Sequence, residues 1–150
     1  MTLYLESSSV VKLYVHEPGS DAVRAEVDAA SVVATSAIAY PEARAALARR
    51  RREGVLSTGA FASAKRSFED DWPRYLIVEA TSGLCRRAGD LAERYRLRAY
   101  DSVHLASFAD VAAVAGVADT VFSSYDDALN RAARSLRRSL ARATRQSATS

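Results

Sequence analysis

The chain has 150 residues, a length typical of one domain with a single core. Hydrophobic residues make up 49% and charged residues 26%, which excludes intrinsic disorder for most of the chain. The longest uncharged stretch, Ala29 to Pro41, is too short to span a bilayer, so we expect no membrane association. We also expect no signal peptide, because no basic segment followed by an apolar one stands at the N-terminus.

Cysteine use favours a reducing compartment. Cys85 is the only cysteine, so the chain can form neither an internal disulfide nor a thiolate zinc site. We therefore expect a cytoplasmic location. No catalytic partner lies near Cys85 in the sequence, and we interpret it as a small core residue.

The basic residues are informative through their distribution, since the formal net charge is only +3. Of the 21 basic residues, all except Lys12 and Lys65 are arginines, whose planar guanidinium suits phosphate binding. One run spans Arg49–Arg52, and a second group crowds the C-terminus at Arg131, Arg134, Arg137, Arg138, Arg142 and Arg145. Taken alone, each group is equally well explained as the solvated face of a helix.

The first half of the chain alternates short apolar segments with helical spacing. In chain order we expect a strand at Leu3–Leu5, a helix after Ser9, a helix capped by Ser20 or Asp21, a strand at Val32–Thr35, and a helix capped by Ser36 that ends near Glu53. Pro41 marks either a kink in this last helix or its true start.

The second half continues the same alternation. In chain order we expect a helix over Ser57–Asp70, a strand at Tyr75–Val78, a helix from Thr81 or Ser82 to about Tyr95, a helix from Asp101, a strand at Thr120–Ser123, and a last helix from Asp126 or Asp127. This alternation predicts an α/β fold, a parallel β-sheet of four to five strands sandwiched by helices. We expect one domain over residues 1–143 and a flexible polar tail over residues 144–150.

Four acidic residues fall where the predicted strands end or the following helices begin. They are Glu6, Glu42, Asp101 and Asp126. Ligands of open parallel sheets gather at the carboxyl ends of the strands, so these four side chains are candidates for one shared site.

Each acid also has a purely structural interpretation. Asp101 and Asp126 stand where an aspartate commonly caps a helix. Glu6 is harder to explain in this way, because it ends a strand that we expect to be buried, and a buried carboxylate without a partner is costly. Several such groups together repel one another unless a cation lies between them, and hard oxygen ligands favour Mg²⁺ or Mn²⁺ over zinc.

Four segments resemble a known family. They are ESSSVVKLYVHEPGS, ATSAIAYPEARAALAR, RAYDSVHLAS and FSSYDDALNRAA. In this order and at this spacing they resemble the PIN-domain ribonucleases, specifically the VapC toxins of bacterial toxin–antitoxin modules. The resemblance covers nearly the whole chain, and it implies a parallel sheet sandwiched by helices, which agrees with the element pattern above.

The resemblance also implies a function and a site. It implies a ribonuclease that depends on Mg²⁺ or Mn²⁺, that cleaves RNA, that forms a homodimer and that is neutralised by a VapB-type antitoxin. The implied catalytic residues are Glu6, Glu42, Asp101 and Asp126, of which Glu6, Asp101 and Asp126 bind the metal, with Ser8 and Ser124 in support. For RNA phosphates we expect contacts from Arg49, Arg50, Arg137 and Arg138.

One position departs from the family pattern. The family has aspartate where this chain has Glu6, and the longer side chain can displace a metal that demands near-ideal geometry. The alternative interpretation is therefore a catalytically attenuated PIN-fold protein that binds RNA or an antitoxin. A receiver-like signalling domain is a weaker alternative, since it needs a lysine near the last strand and neither Lys12 nor Lys65 is there.

His104 and several tyrosines lie near these segments. His104 follows Asp101 by three residues on the same helix face, but its apolar surroundings favour a buried structural role over a general base. Four tyrosines next to the motifs are candidates for stacking on unpaired bases, although packing is the favoured interpretation for most of them: Tyr14, Tyr40, Tyr100 and Tyr125.

Overall fold

The computed structural model describes residues 1–148 and contains one parallel sheet. Its strands are β1 (Thr2–Leu5), β2 (Val32–Ser36), β3 (Leu76–Val78) and β4 (Thr120–Ser123). Their order across the sheet is β3-β2-β1-β4, and all three neighbouring pairs are parallel. The predicted sheet is therefore confirmed, with four strands.

Seven helices surround this sheet. They are α1 (Ser7–Tyr14), α2 (Ser20–Ala29), α3 (Ala39–Arg52), α4 (Thr58–Asp71), α5 (Ser82–Tyr95), α6 (Ala99–Ala115) and α7 (Asp127–Ala148), and a short 3₁₀ turn covers Trp72–Arg74. None of the helices within residues 1–148 has the length and apolar character needed to cross a membrane.

Strand β1 lies at the centre of the core. Leu3, Tyr4 and Leu5 are fully buried, and alternate side chains of a strand point to opposite faces of the sheet. Leu3 and Leu5 pack with residues of α1 to α4, whereas Tyr4 packs with residues of α6 and α7. The sheet thus separates two helical layers, which is the predicted sandwich.

Two helix starts differ from the sequence-based expectation. Ser36 is the last residue of β2, so α3 begins at Ala39, and Pro41 falls in its first turn, where a proline is tolerated. Helix α6 begins at Ala99, with Arg98 rather than Asp101 at the N-cap position. Both acids of interest, Glu42 and Asp101, therefore lie in the first turn of a helix.

The C-terminal residues and the cysteine also differ from expectation. Helix α7 continues to Ala148, so residues 144–148 of the expected tail are helical, and residues 149–150 lie outside the described part of the chain.

Cys85 is exposed on α5, so its interpretation as a core residue is wrong. The buried positions of that helix are taken by Leu84 and Ala88.

A cluster of charges joins the loop after α1 to its neighbours. Glu17 accepts hydrogen bonds from Lys12 at 3.1 Å and from Arg50 at 2.9 Å. The Lys12 ammonium also lies 4.4 Å from the centre of the Tyr125 ring.

Tyr125 covers Gly19 so closely that a Cβ there would lie 2.6 Å from the ring. Gly19 also has a φ of +94°, so both the available space and the backbone conformation require glycine.

The Glu17 cluster leads to a pH-dependent prediction. Burial raises the pKa of Glu17, but the hydrogen bonds from Arg50 and Lys12 outweigh burial and lower it below its ordinary value of 4.5. A carboxylate with a lowered pKa stabilises the fold fully above its unfolded-state pKa, and this contribution disappears as the pH falls through the folded-state pKa. We expect Glu17→Gln to lower the free energy of unfolding by about 1 kcal/mol at pH 7.

Urea denaturation of both proteins from pH 7 to pH 3 tests this prediction, and the difference between them should shrink below pH 4.5. Asp21→Asn is the matched control, because Asp21 is highly exposed and pairs only with its helix neighbour Arg24. A difference that stays constant with pH would show that the Glu17 charge is not responsible.

Candidate functional site

The four predicted acids are carried by the starts of four helices at one edge of the sheet. Glu6 and Asp126 are N-cap residues, since their carboxylates accept hydrogen bonds from the backbone N–H groups of Ser8 and Leu129. Glu42 and Asp101 lie in first turns. Helix N-termini carry partial positive charge, which partly offsets the repulsion among these carboxylates.

Two serines connect Glu6 to the loop after β4. Glu6 is 6% exposed, and its Oε2 accepts hydrogen bonds from the Ser8 hydroxyl and, at 3.0 Å, from the Ser124 hydroxyl. The Ser8 Oγ accepts from the Tyr125 backbone N–H at 2.9 Å, and the Ser124 Oγ accepts from the Asp126 backbone N–H at 3.0 Å. The hydroxyls therefore join the ends of β1 and β4 around the carboxylate.

Glu42 is fixed by two buried side chains. Its Oε1 accepts hydrogen bonds from the Ser7 hydroxyl at 2.7 Å and from the His104 Nε2 at 2.8 Å. Burial raises the pKa of Glu42, but these hydrogen bonds outweigh burial and lower it below 4.5. Glu42 is therefore held as a carboxylate in one orientation.

His104 has a larger role than its sequence context suggested. It is fully buried, as predicted, yet its ring joins the core to the site. The Glu42 carboxylate can only accept, so Nε2 donates to it, and in the neutral ring Nδ1 then accepts from the Tyr4 hydroxyl at 2.9 Å. Burial raises the pKa of Tyr4 well above its ordinary value, so the phenol keeps the proton that it donates. In the sequence, the position of His104 three residues after Asp101, on the same helix face, was the feature that could have indicated a role in the site.

Arg98 is the site residue that the sequence analysis missed. Its Nε donates to the Asp101 Oδ2 at 2.9 Å, and its guanidinium lies 3.6 Å from the Asp126 Oδ2. The hydrogen bond from Arg98 to Asp101, followed by the charges of Asp101, Asp126 and Glu6, raises the pKa of Arg98. The charge of Arg98 in turn contributes to the lowered pKa of Glu42. One guanidinium thus interacts electrostatically with all four acids.

The donor chemistry of this pocket fits a hard divalent cation. Carboxylate oxygens are the ligands that Mg²⁺ and Mn²⁺ prefer, and the Arg98 guanidinium already provides positive charge among them. Within residues 1–148, no three His, Cys, Asp or Glu side chains are arranged closely enough to form a ligand set as they stand. Two of the carboxylates, Asp101 and Asp126, instead flank a guanidinium.

The predicted RNA-contacting arginines lie away from the acids. Arg49 follows Glu42 by seven residues, which is about 10 Å along α3, and Arg137 follows Asp126 by eleven, about 16 Å along α7. Arg49 donates to Glu53, and Arg137 donates to a backbone carbonyl. Arg50 pairs with Glu17, and Arg138 is exposed.

The four tyrosines divide into two groups. Tyr14 and Tyr40 donate to the carboxylates of Asp71 and Glu69 and pack against Phe68. Their rings therefore belong to the core. Tyr100 and Tyr125 are among the exposed large side chains and lie next to Asp101 and Asp126 in the sequence.

The buried connection from Tyr4 to Glu42 can be tested by replacing the histidine. We expect His104→Ala to lower the free energy of unfolding by about 2–4 kcal/mol, because it opens a cavity and removes a hydrogen-bond partner of the buried Tyr4 hydroxyl. It should also raise the pKa of Glu42, measured by carboxyl NMR. His104→Gln should show smaller changes in both the free energy of unfolding and the Glu42 pKa, since its amide can donate to Glu42.

His16→Ala is the matched control for these variants, because His16 is exposed. It should change neither the free energy of unfolding nor the pKa of Glu42. A Glu42 pKa that stays as low in the His104→Ala protein as in the parent would contradict the assigned hydrogen bond.

Comparisons with known proteins identify the family of the chain. Residues 3–135 match the PIN domain family. Ribonuclease VapC45 and Ribonuclease VapC49, from two Mycobacterium tuberculosis strains (CDC 1551 / Oshkosh and ATCC 25618 / H37Rv), are each 41% identical to the chain over 105 residues. That alignment covers 70% of this chain and 73% of each relative.

The fold has a solved counterpart. The crystal structure of PAE2754 from Pyrobaculum aerophilum superposes with a TM-score of 0.62 at 20% identity, covering 94% of this chain and 90% of that one. This likeness supports the fold alone, whereas the sequence matches identify the family. The chain therefore belongs to the PIN domain family and to its VapC group, as the four sequence segments indicated.

Proposed function

We propose that this chain is an endoribonuclease toxin of the VapC type that hydrolyses RNA phosphodiester bonds with Mg²⁺ or Mn²⁺. The observation that carries the proposal is the placement of Glu6, Glu42, Asp101 and Asp126 at the starts of four helices, with the Arg98 guanidinium between the last two. The 41% identity to two proteins named ribonucleases supports the same conclusion.

In this proposal the four acidic residues have different roles. Glu6, Asp101 and Asp126 would hold the metal, and a divalent cation bound there would supply charge neutralisation on the phosphate and activation of a water. Glu42 orients a water by accepting its hydrogen bond, because Ser7 and His104 fix its carboxylate. Ser8 and Ser124 keep the Glu6 carboxylate in place.

The proposed partners follow from the charge distribution and the family. RNA phosphates on either side of the acidic pocket would be bound by Arg49, Arg50, Arg137 and Arg138, since a polyanion needs basic flanks beside a negative site. We further propose a homodimer that a VapB-type antitoxin neutralises in the cytoplasm.

The proposed function is tested by removing one carboxylate. Asp101→Asn keeps the size of the side chain and removes its charge, so we expect metal-dependent RNA cleavage to fall at least a hundredfold. The measurement is the initial cleavage rate of total cellular RNA with Mg²⁺ or Mn²⁺, with and without EDTA, followed by sequencing of the new ends.

Asp127→Asn is the matched control, because Asp127 is the exposed neighbour of Asp126 in the first turn of α7. It should cleave RNA at the parent rate. Cleavage by the parent protein that persists in EDTA would refute the metal dependence, and cleavage by Asp101→Asn at the parent rate would refute the role of Asp101.

A catalytically attenuated protein that binds RNA or an antitoxin is the second candidate function. The conformation of Glu6 favours it, because the longer side chain folds back to cap α1 and its Oε2 accepts from Ser8 twice and from Ser124 once. A carboxylate oxygen with three donors is less available to a metal than one without partners.

Glu6→Asp separates the two candidates. If Glu6 attenuates the enzyme, the shorter side chain should raise the initial cleavage rate at saturating Mg²⁺, by up to about a hundredfold for a displacement near 1 Å. Metal affinity by calorimetry accompanies the rate, and Glu6→Gln is the control that removes the charge. An equal or lower rate for Glu6→Asp would show that the pocket is adapted to glutamate.

A further inference from the structure

We infer that Arg98 is a resident counter-cation of the acidic pocket, which holds the carboxylates together in the metal-free protein and must be displaced when a divalent cation binds. This inference rests on the metal dependence in the proposed function. It assigns to Arg98 a competition with the metal for the same oxygen atoms.

The contacts of Arg98 are directed at the proposed metal ligands. Its Nε bonds the Oδ2 of Asp101, and another nitrogen of the same guanidinium lies 3.6 Å from the Oδ2 of Asp126. Asp101 and Asp126 come from helices α6 and α7, which begin at the same edge of the sheet. A planar guanidinium between two carboxylates relieves their repulsion, as a metal ion would.

Several other basic side chains form their contacts outside the pocket. Ion pairs with carboxylates outside the pocket occupy Lys12, Arg24, Arg44, Arg49, Arg50, Arg74 and Arg87. Arg94, four residues before Arg98, lies over the Tyr95 ring. The position of Arg98 at the N-cap of α6 is therefore what brings a basic side chain to the acids.

The same contacts are easily broken. The Arg98 side chain is 80% exposed, and it makes no capping hydrogen bond to the backbone of α6. Ion pairs of such exposed side chains are weak, so a divalent cation with twice the charge can replace the guanidinium. The apparent metal affinity is then reduced by the fraction of molecules in which Arg98 holds the carboxylates.

Two measurements test this competition without recourse to cleavage. Calorimetry of Mn²⁺ binding should give a dissociation constant about three- to tenfold lower for Arg98→Gln than for the parent. Arg98→Lys, which keeps a charge but not the planar fork, should fall between them. Arg96→Gln is the matched control, because it removes the same charge from an exposed site two residues away.

Thermal unfolding supplies the second readout. In EDTA, Arg98→Gln should melt below the parent because the carboxylates lose their counter-cation, and saturating Mn²⁺ should raise its melting temperature by more than it raises that of the parent. A purely structural role for Arg98 would lower the melting temperature equally in both conditions.

The outcomes separate the inference from the function on which it rests. Equal Mn²⁺ affinity for Arg98→Gln, Arg96→Gln and the parent would overturn the counter-cation role while leaving a metal site in place. Absence of Mn²⁺ binding by the parent and all variants would overturn both the inference and the metal dependence. Tighter binding by Arg98→Gln alone, together with its lower stability in EDTA, supports the inference.

Discussion

Repulsion among four carboxylates at one end of a small sheet is the constraint on which the rest of this structure depends. Three kinds of group offset this repulsion. They are four helix N-termini, the hydroxyls of Ser7, Ser8 and Ser124, and the guanidinium of Arg98. Each of these groups supplies a donor or a positive charge without filling the pocket with apolar atoms. The pocket therefore stays hydrophilic although it adjoins the fully buried strand β1.

The two sides of the pocket differ in their expected mobility. Glu42 and Glu6 are held by donors that belong to the core or to the ends of β1 and β4, and His104 connects Glu42 to the buried phenol of Tyr4. Asp101 and Asp126 share the exposed Arg98. Rearrangement on binding a cation or a substrate should therefore concentrate on the Arg98 side, since close-packed interiors resist small displacements.

Most of the architecture could be predicted from the sequence because it depends on local patterns. The β-branched or apolar segments at Val32 and Thr120 marked strands, and Ser57 and Thr81 marked helix starts where their hydroxyls act as caps. The start of α3 was placed too early because Ser36 resembles a cap but ends a strand. The expectation of a buried Cys85 failed because its neighbours in sequence, Leu84 and Ala88, already fill the inward face of α5.

The site was only partly predictable, for a physical reason. Carboxylates at strand ends are visible in a sequence, because topology brings those ends together. The partners of each carboxylate depend on side-chain directions across the fold, such as the contact of His104 with a residue 62 positions earlier. Arg98 resembled any other exposed arginine, and only the arrangement of α6 against α7 distinguishes it.

The pairing of the first strand with the last has a consequence for synthesis of the chain. Thr2 is in register with Thr120, and the Glu6 backbone N–H donates to the Ser123 carbonyl. A nascent chain can therefore form α1 to α6 while the edge of β1 that pairs with β4 is still open. Ser124 and Asp126 join the pocket only after the final strand has left the ribosome. The complete acidic pocket thus depends on a contact between residues 118 positions apart, and long-range pairings of this kind form slowly during folding.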